Sequence, residues 1–306
     1  MCHPSRQKRS RDRSRKATAP AGRRHAPPRA PRPARRPYGH AQSAAARLLP
    51  TLSPPEAAGG PTDRRTYALR LAYDGAAFRG WQRQPGLPTV EQATLDALAG
   101  LLAEQVRLSG AARTDSGVHA EAQVASFSTR RAIFAPDLLA LHLPAGLTIT
   151  AAAPARPSFH ARASASGKRY CYRFAAGSPT AWDLGRTGPD WERARAALDG
   201  LRALPHLAGL ASPGSGGKLP APLDEWSLES GAGSAQLIVR ARAFRKHEVR
   251  NLAGHLAAIA LGLAPPESLA RLAGSARPWC GATAPPHGLT LLEVLYPEEI
   301  DPFRVT

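Results

Sequence analysis

The sequence predicts an α+β fold of two similar subdomains, each with a mainly antiparallel sheet, helices packed on one face, and an active-site cleft between them. Short segments of alternating apolar and polar residues predict strands. Each half of the chain combines such segments with one or two helical patterns, and this order occurs twice. Glycine-containing turns separate the predicted strands, which favours antiparallel connections over long crossovers.

The first subdomain, residues 65–157, is predicted to begin with a strand in "TYALRLAYDG", which ends in a turn at Asp74-Gly75. Thr89 and Gln92 form a capping box that opens a helix. "QVRLSGA" and "AQVASFST" predict two further strands on either side of an irregular loop, "GAARTDSGVHA". The stretch "LPAGLTITAAAPARP" is predicted to be an irregular bridge punctuated by proline.

The second subdomain, residues 158–300, repeats the pattern. "GKRYCYRFAA" alternates as a strand, and "DWERARAALDGL" has the periodicity of a helix. "PLDEWSLES" and "AQLIVRARAF" predict a hairpin across Gly231–Gly233, and "KHEVRNLAGHLAAIALG" predicts a long helix. A cleft between two such halves is a common place for a ligand site.

Residues 1–64 are predicted to be a disordered basic extension, because Arg, Pro, Ala and Ser dominate them. The chain has a net charge of +18. This segment holds 15 Lys and Arg residues against three acids, a net of +12, and the remainder carries +6. The extension is either a basic arm that adds non-specific affinity for a polyanion or a dispensable tail.

Several classes of protein are excluded by composition. No run of about 18 apolar residues could span a membrane. The arginine-rich start has no continuous apolar segment behind it, so it does not predict a secretory signal. Cys2, Cys171 and Cys280 are too widely spaced for a disulfide framework or a structural zinc site, and a cytoplasmic setting is expected.

Asp115 is a candidate functional acid, because it lies between Arg113 and His119 in a loop too rich in Gly and Ser for a helix. An acid beside an arginine is held ionised, and a carboxylate can serve as nucleophile, general base or electrostatic stabiliser. The same acid could instead accept backbone N–H groups within its own turn. The loop alone leaves these roles open.

Three enzyme classes share single features with this loop. "DSG" matches half of an aspartic-protease signature, but no second D-S/T-G occurs, so a homodimer would have to supply it. Ser116 near His119 lacks the G-x-S-x-G elbow of a serine hydrolase. A retaining glycosidase would need a second carboxylate about 5 Å away, to which nothing in the sequence points.

Five blocks in order resemble the tRNA pseudouridine synthase A family, and they span roughly residues 66–297. The blocks are "AYDGAAFRGWQRQ" (72–84), "GAARTDSGVHA" (110–120), "SFHARASASGKRYCY" (158–172), "HEVRNLAGHL" (247–256) and "APPHGLTLLEVLYP" (284–297). The resemblance implies an isomerase that converts uridine to pseudouridine in the tRNA anticodon stem-loop, at positions 38, 39 and 40. It also implies a homodimer that needs no metal or organic cofactor.

The resemblance implies a role for five residues. Asp115 matches the catalytic aspartate, Arg250 the arginine paired with it, and Tyr170 the tyrosine that packs on the target base. Leu289 matches an apolar residue of the base pocket, and Arg113 the arginine that helps displace the nucleotide. Asp115 could attack ribose C1′, attack uracil C6 or remove the 2′ proton. An inactive tRNA-binding or tRNA-folding protein on the same scaffold is the alternative function.

Six basic residues in the matching blocks are predicted to line a groove for the tRNA backbone. They are Arg79, Arg83, Lys168, Arg169, Arg245 and Lys246. His119 and His247 are assigned structural roles, because the isomerisation needs no imidazole. Ala112 stands where the family usually has glycine, and its methyl group would crowd the loop if the position required a positive φ.

The basic extension gives the first testable prediction. Deleting residues 1–64 is expected to lower RNA affinity only modestly, because these cations add non-specific phosphate contacts outside the folded core. Filter binding of a tRNA transcript at two salt concentrations measures the change. A complete loss of folding or of activity would contradict an accessory role.

Overall fold

The structure is a computed structural model that describes residues 64–131, 143–185, 188–214 and 222–304. Its central feature is one mixed sheet with the strand order β4-β1-β3-β8-β5-β7-β6, in which β2 also pairs with β3. The strands are β1 (Arg65–Tyr73), β2 (Ser109–Gly110), β3 (His119–Thr129), β4 (Leu147–Ala155), β5 (Gly167–Ala175), β6 (Glu225–Gly231), β7 (Ser234–Ala241) and β8 (Leu289–Leu295). The predicted α+β class is confirmed. The extension up to residue 63 lies outside the described residues.

The two halves of the chain contribute to the same sheet. Strands β1 to β4 come from the first half and β5 to β8 from the second, and the pairs within each half are antiparallel. The halves meet where β3 and β8 pair in parallel, with His119 opposite Thr290 and Ala120 opposite Leu291. The loops that precede two parallel strands emerge at the same edge of a sheet, so this short ladder brings residues 111–118 and 284–288 together.

The described residues include four α-helices, and each buries an apolar side in the larger of two cores. They are α1 (Val90–Leu102), α2 (Trp191–Asp199), α3 (Glu248–Ala260) and α4 (Glu267–Ala273). Thr89 caps α1 as predicted, accepting the amide N–H of Gln92 through its side chain. Helix α3 starts at Glu248 and not at Lys246, because His247 has a φ of 61°.

The larger core covers one face of the sheet. Leu69 and Leu71 of β1 alternate with Ala68, which lies in a smaller cluster on the opposite face. That smaller cluster is closed by Phe159 and by partly buried Tyr296, whose rings are 5.0 Å apart. The helices therefore lie on one face, as the sequence predicted.

The bridge "LPAGLTITAAAPARP" contains a strand that the sequence did not predict. Residues Leu147–Ala155 form β4, which pairs with β1 and is the last strand at its end of the sheet. An edge strand tolerates Pro154, because its outer side needs no amide donor. The strand predicted for "QVRLSGA" is shorter in the structure than expected. Among its residues, only Ser109–Gly110 form a strand, which pairs with β3.

Gly110 tests the packing beneath the loop that links β2 to β3. A Cβ atom built on Gly110 would overlap the indole ring of Trp81, which is 1 % exposed. Gly110→Ala is expected to lower the free energy of unfolding by about 1–3 kcal/mol through overpacking. Urea denaturation measures this change.

Gly200→Ala is the matched control, because Gly200 has a φ of −61° and a Cβ atom there would meet nothing within 4 Å. Its stability should equal or slightly exceed that of the wild type. Equal stability of the two alanine variants would contradict the tight packing of Gly110 on Trp81.

Candidate active site

The loop that carries Asp115 is held by buried hydrogen bonds on the N-terminal side of that residue. The side chain of Gln123, which is fully buried, accepts the N–H of Ala112 at 3.1 Å and donates to the Ala112 carbonyl at 2.8 Å. The Tyr73 hydroxyl lies 2.8 Å from the Thr114 hydroxyl, and burial raises the pKa of Tyr73 to about 12. The segment that leads into Asp115 is therefore held in place by the folded core.

The methyl group of Ala112 causes no backbone strain. Ala103 and His247 are the residues other than glycine that have a positive φ within the described ranges, and Ala112 is not among them. Ala112 is 6 % exposed and packs in the larger core. An alanine at position 112 is therefore compatible with the loop conformation.

A second loop, which contains Gly75, Gly80 and Trp81, packs against the Asp115 loop and requires glycine at two positions. The Trp81 amide donates to the Thr114 carbonyl at 3.0 Å. Gly80 has a φ of 89°, and a Cβ atom there would lie 2.9 Å from the same carbonyl oxygen. A Cβ atom on Gly75 would collide with the backbone of Val118. The block at residues 72–84 thus acts as a brace for the Asp115 loop.

Asp115 forms an ion pair with Arg250, 135 positions away in the sequence. Nη1 of Arg250 lies 2.8 Å from Oδ2 of Asp115, and Nε of the same arginine donates to the Ala284 carbonyl at 2.8 Å. The Arg250 side chain is 13 % exposed, whereas that of Asp115 is 35 % exposed. The arginine is anchored from behind and the carboxylate is open to an incoming group.

His247 also contacts Asp115, which the sequence interpretation did not anticipate. Its Nε2 atom lies 3.5 Å from Oδ2 of Asp115, and its Nδ1 atom lies 3.1 Å from the Ser212 hydroxyl. Burial lowers the pKa of His247, and the cations Arg250 and Lys246 lower it further against the opposing effect of Asp115. The one signal in the sequence was its position three residues before Arg250.

His119, by contrast, has the contacts of a structural residue. Its Nδ1 atom accepts the N–H of Gly75 at 3.2 Å and lies 3.2 Å from Oδ1 of Asp74. Burial lowers the pKa of His119. The ring therefore fastens the turn after β1 to the start of β3.

Tyr170 and Leu289 are buried residues on the paired strands β5 and β8. Tyr170 on β5 is 8 % exposed, and its ring meets the edge of Phe244 at 5.2 Å. Burial raises the pKa of the Tyr170 phenol, and the neighbouring Tyr73 and Asp115 raise it further, so the hydroxyl keeps its proton at neutral pH. Leu289 is 6 % exposed and pairs across from Tyr172, whose ring lies against Gly288.

Lys168 is a buried cation whose surroundings disfavour its charge. It is 9 % exposed, and burial together with Arg162 lowers its pKa to about 8. Arg113 lies near enough to Arg162 to lower the pKa of that guanidinium as well, although burial has the larger effect and Glu91 opposes it. Three cations thus converge beside the site, and Arg162 is the member that the sequence interpretation missed.

The other residues predicted for the tRNA groove differ in exposure and in the face of the sheet on which they lie. Arg79, Arg83 and Lys246 are exposed. Arg245 is partly buried, and its amide donates to the carboxyl group of Glu248 at 2.7 Å. Arg169 alternates with Lys168 and Tyr170 along β5 and so faces the opposite side, where it lies 3.7 Å from Glu293. The structure brings Lys168, but not Arg169, to the face of Tyr170.

No three His, Cys, Asp or Glu side chains in the described part of the chain lie together as metal ligands would. No helix among the described residues is long and apolar enough to cross a membrane.

Comparison with known proteins places this site in a family context. A family model described as "tRNA pseudouridine synthase" matches residues 218–297. A tRNA pseudouridine synthase A of Cereibacter sphaeroides is 37% identical over 261 residues, which cover 78% of this chain and 99% of that protein. The proteins of the same name from Stenotrophomonas maltophilia and Neisseria gonorrhoeae are 36% and 33% identical, over 76% of this chain and 95% and 93% of their own lengths.

The buried charge of Lys168 predicts a measurable dependence of stability on pH. The pKa of Lys168 is about 8 in the folded protein against an ordinary value of 10.5, so the unfolded chain binds more protons between these pH values. The cost of burying the charge is complete below pH 8 and disappears as pH rises to 10.5. Lys168→Met is expected to raise the free energy of unfolding at pH 7 by about 1–3 kcal/mol.

Urea denaturation at pH 7 and at pH 10 measures this prediction, and the gain from Lys168→Met should be smaller at pH 10. Lys246→Met is the control, because Lys246 is exposed and its removal relieves no buried charge. A Lys168→Met protein that is less stable than the wild type at pH 7 would show that the ammonium group is not a burden to the fold.

Proposed function

This chain belongs to the tRNA pseudouridine synthase A family, and we propose that it isomerises uridines at positions 38, 39 and 40 of the tRNA anticodon stem-loop with Asp115 as the attacking group. The family makes it an isomerase that forms pseudouridine in tRNA. The position in the tRNA and the role of Asp115 are the proposal.

The contact between Asp115 and Arg250 is the observation that carries the role of Asp115. A lone carboxylate beside buried aromatic rings would be costly, and a hydrogen-bonded guanidinium offsets that cost. Arg250 approaches at 2.8 Å and is itself anchored on the Ala284 carbonyl. The guanidinium pairs with the carboxylate and orients it while over a third of the Asp115 side-chain surface stays accessible.

The reaction exchanges one glycosidic bond for another without redox change. The C1′–N1 bond of uridine breaks, the uracil turns, a C1′–C5 bond forms, the proton on C5 leaves, and N1 gains a proton. Asp115 starts this sequence by attacking C1′ or C6 or by removing the 2′ proton. The Tyr170 phenol, whose pKa is raised by burial, offers a flat face to the uracil and a hydroxyl for proton exchange near C5.

The target base has to leave its stack to reach Asp115, which costs a few kcal/mol. Arg113 is exposed on the same loop two residues before Asp115, so its planar guanidinium can occupy the space that the base vacates. Tyr170 lies near enough to Asp115 to be affected by its charge, and Leu289 is buried on the strand that pairs with that of Tyr170. Together they would exclude water, which could otherwise divert the intermediate to hydrolysis.

The groove for the tRNA backbone is proposed along the face that carries Lys168. A phosphate group beside Lys168 and Arg113 would compensate the charges that repel each other there. Arg79, Arg83, Arg245 and Lys246 extend this basic surface on the neighbouring loops. Arg169 has less support, because it faces the other side of the sheet and pairs with Glu293.

We further propose that the protein works in the cytoplasm as a homodimer in which one tRNA touches both subunits. Residues 65–306 carry a net charge of only +6, and a second subunit would double the basic surface offered to one RNA.

The proposed function is tested by incubating the protein with an unmodified anticodon stem-loop transcript and mapping pseudouridine chemically. The wild type should convert uridines at positions 38 to 40. Asp115→Asn should be about a thousandfold slower or worse, because an amide is neither nucleophile nor base. Asp96→Asn is the matched control: Asp96 is an exposed acid on α1, and its removal should leave the rate unchanged.

Two results would contradict the proposal. Pseudouridine formed by Asp115→Asn as fast as by the wild type would remove Asp115 from the reaction. Tight binding of the transcript by a wild type that makes no product would favour a tRNA-binding or tRNA-folding protein without catalysis.

A further inference from the structure

His247 occupies a backbone conformation that does not suit it. Its φ is 61° and its ψ is 5°, in the left-handed region that favours glycine and asparagine. It immediately precedes α3, yet its side chain makes no capping hydrogen bond to that helix. The conformation instead points the imidazole at Asp115, and capping does not account for a histidine there.

A network of hydrogen bonds lies on the Nδ1 side of this imidazole. The amide nitrogen of Asn251 donates to the Leu210 carbonyl at 2.6 Å and to the Ser212 hydroxyl oxygen at 3.2 Å, while its oxygen accepts from Thr283 at 2.7 Å. The Ser212 hydroxyl in turn lies 3.1 Å from Nδ1 of His247. The tautomer that carries its proton on Nε2 is the one that can donate to Asp115, and it leaves Nδ1 as an acceptor for Ser212.

The contacts of His247 and Arg250 fall on one oxygen of the carboxylate. Nη1 of Arg250 lies 2.8 Å and Nε2 of His247 lies 3.5 Å from the same Oδ2 atom. No hydrogen bond from a described residue reaches Oδ1 of Asp115. The separation of 3.5 Å is longer than an ordinary hydrogen bond, as contacts of catalytic groups often are before substrate binds.

We propose that His247 is a positioning residue of the isomerisation, which donates its Nε2 proton to Oδ2 of Asp115 and thereby presents Oδ1 to the flipped uridine. This inference rests on the proposed function. Arg250 supplies charge to Asp115, whereas His247 fixes the rotation of the carboxylate about its last bond. Because both contacts fall on Oδ2, that oxygen is held in place and Oδ1 faces the substrate.

The charges around His247 favour the neutral imidazole that this role needs. Asp115 and the Ser212 hydroxyl face its two nitrogens, Arg250 lies on the following helix turn, and Lys246 precedes it. Burial, Arg250 and Lys246 lower the pKa of His247, and together they outweigh Asp115. A neutral ring has one N–H to donate, and in the tautomer that this role needs it lies on Nε2, the atom that faces Asp115.

His247→Gly is the variant that tests this role, because glycine prefers the left-handed backbone and the variant should fold. The cavity it leaves is open to solvent, since the His247 side chain is 26 % exposed. In single-turnover conversion of the anticodon stem-loop transcript, the rate should fall about ten- to hundredfold. The Kd for the transcript should stay within about twofold of the wild type, because the RNA contacts do not change.

Added imidazole and 1-methylimidazole separate positioning from space filling. Imidazole can accept a proton from Ser212 and donate one to Asp115, so it should restore at least part of the rate. 1-Methylimidazole fills the same cavity but has no N–H, so it should not. His255→Ala is the matched protein control. His255 lies on α3, the helix that follows His247, and its Nε2 atom lies 2.7 Å from the Ser268 hydroxyl on α4. Its removal should not change the rate.

Three results would overturn the inference. One is a His247→Gly rate equal to that of the wild type. Another is equal rescue by both imidazoles, which would mean that the ring only fills space. The third is a loss of rate that neither compound restores and that accompanies weaker transcript binding, which would assign His247 to RNA binding. Wild-type product on the same transcript tests the proposed function separately, so these outcomes count against His247 alone.

Discussion

The short parallel ladder between β3 and β8 is the constraint on which the site depends. Two residue pairs, His119 with Thr290 and Ala120 with Leu291, join strands from opposite halves of the chain. Because these strands run in the same direction, the loops before them meet at one edge of the sheet. Arg250 then reaches both, through its contacts with Asp115 and with the Ala284 carbonyl. An antiparallel pairing at the same place would have put the two loops at opposite edges.

Several kinds of contact surround Asp115, and each has a different effect. Arg250 forms the ion pair with Asp115. Gln123 holds the loop through the backbone of Ala112, and the Tyr73 hydroxyl holds it through the Thr114 side chain. Tyr170 and Leu289 are buried on adjacent strands. Most of these groups are buried and already satisfied, so little has to reorganise when a substrate arrives. The rigidity of the protein side leaves the conformational cost to the RNA.

Particular residues show which parts of this arrangement could be predicted from the sequence. Alternation of apolar and polar residues predicted β1, β5 and β7, and in β7 buried residues alternate with more exposed ones along the strand. It did not predict β4, where Ala151, Ala152 and Ala153 give no contrast between the faces and Pro154 suggests a loop. Pairing with β1, a tertiary effect, makes that segment a strand.

The candidate site shows the same division. The five matching blocks identified Asp115, Arg250 and Tyr170, and the structure brings these three together although the sequence separates them. His247 was interpreted as structural, because its contact with Asp115 depends on a left-handed backbone that the letters "KHEVR" do not reveal. Arg169 was grouped with Lys168 by adjacency, yet neighbours on a strand face opposite sides. Arg162 was missed because the crowding of cations that reveals it is visible only in three dimensions.

The 135-residue separation between Asp115 and Arg250 has a consequence for the timing of synthesis. Arg250 follows Asp115 in the chain, and strand β8, which joins the halves, follows Arg250 and ends at Leu295. A nascent chain that has not yet exposed β8 holds β3 without its parallel neighbour. The two loops that Arg250 connects are therefore brought together only after both halves of the sheet have been synthesised.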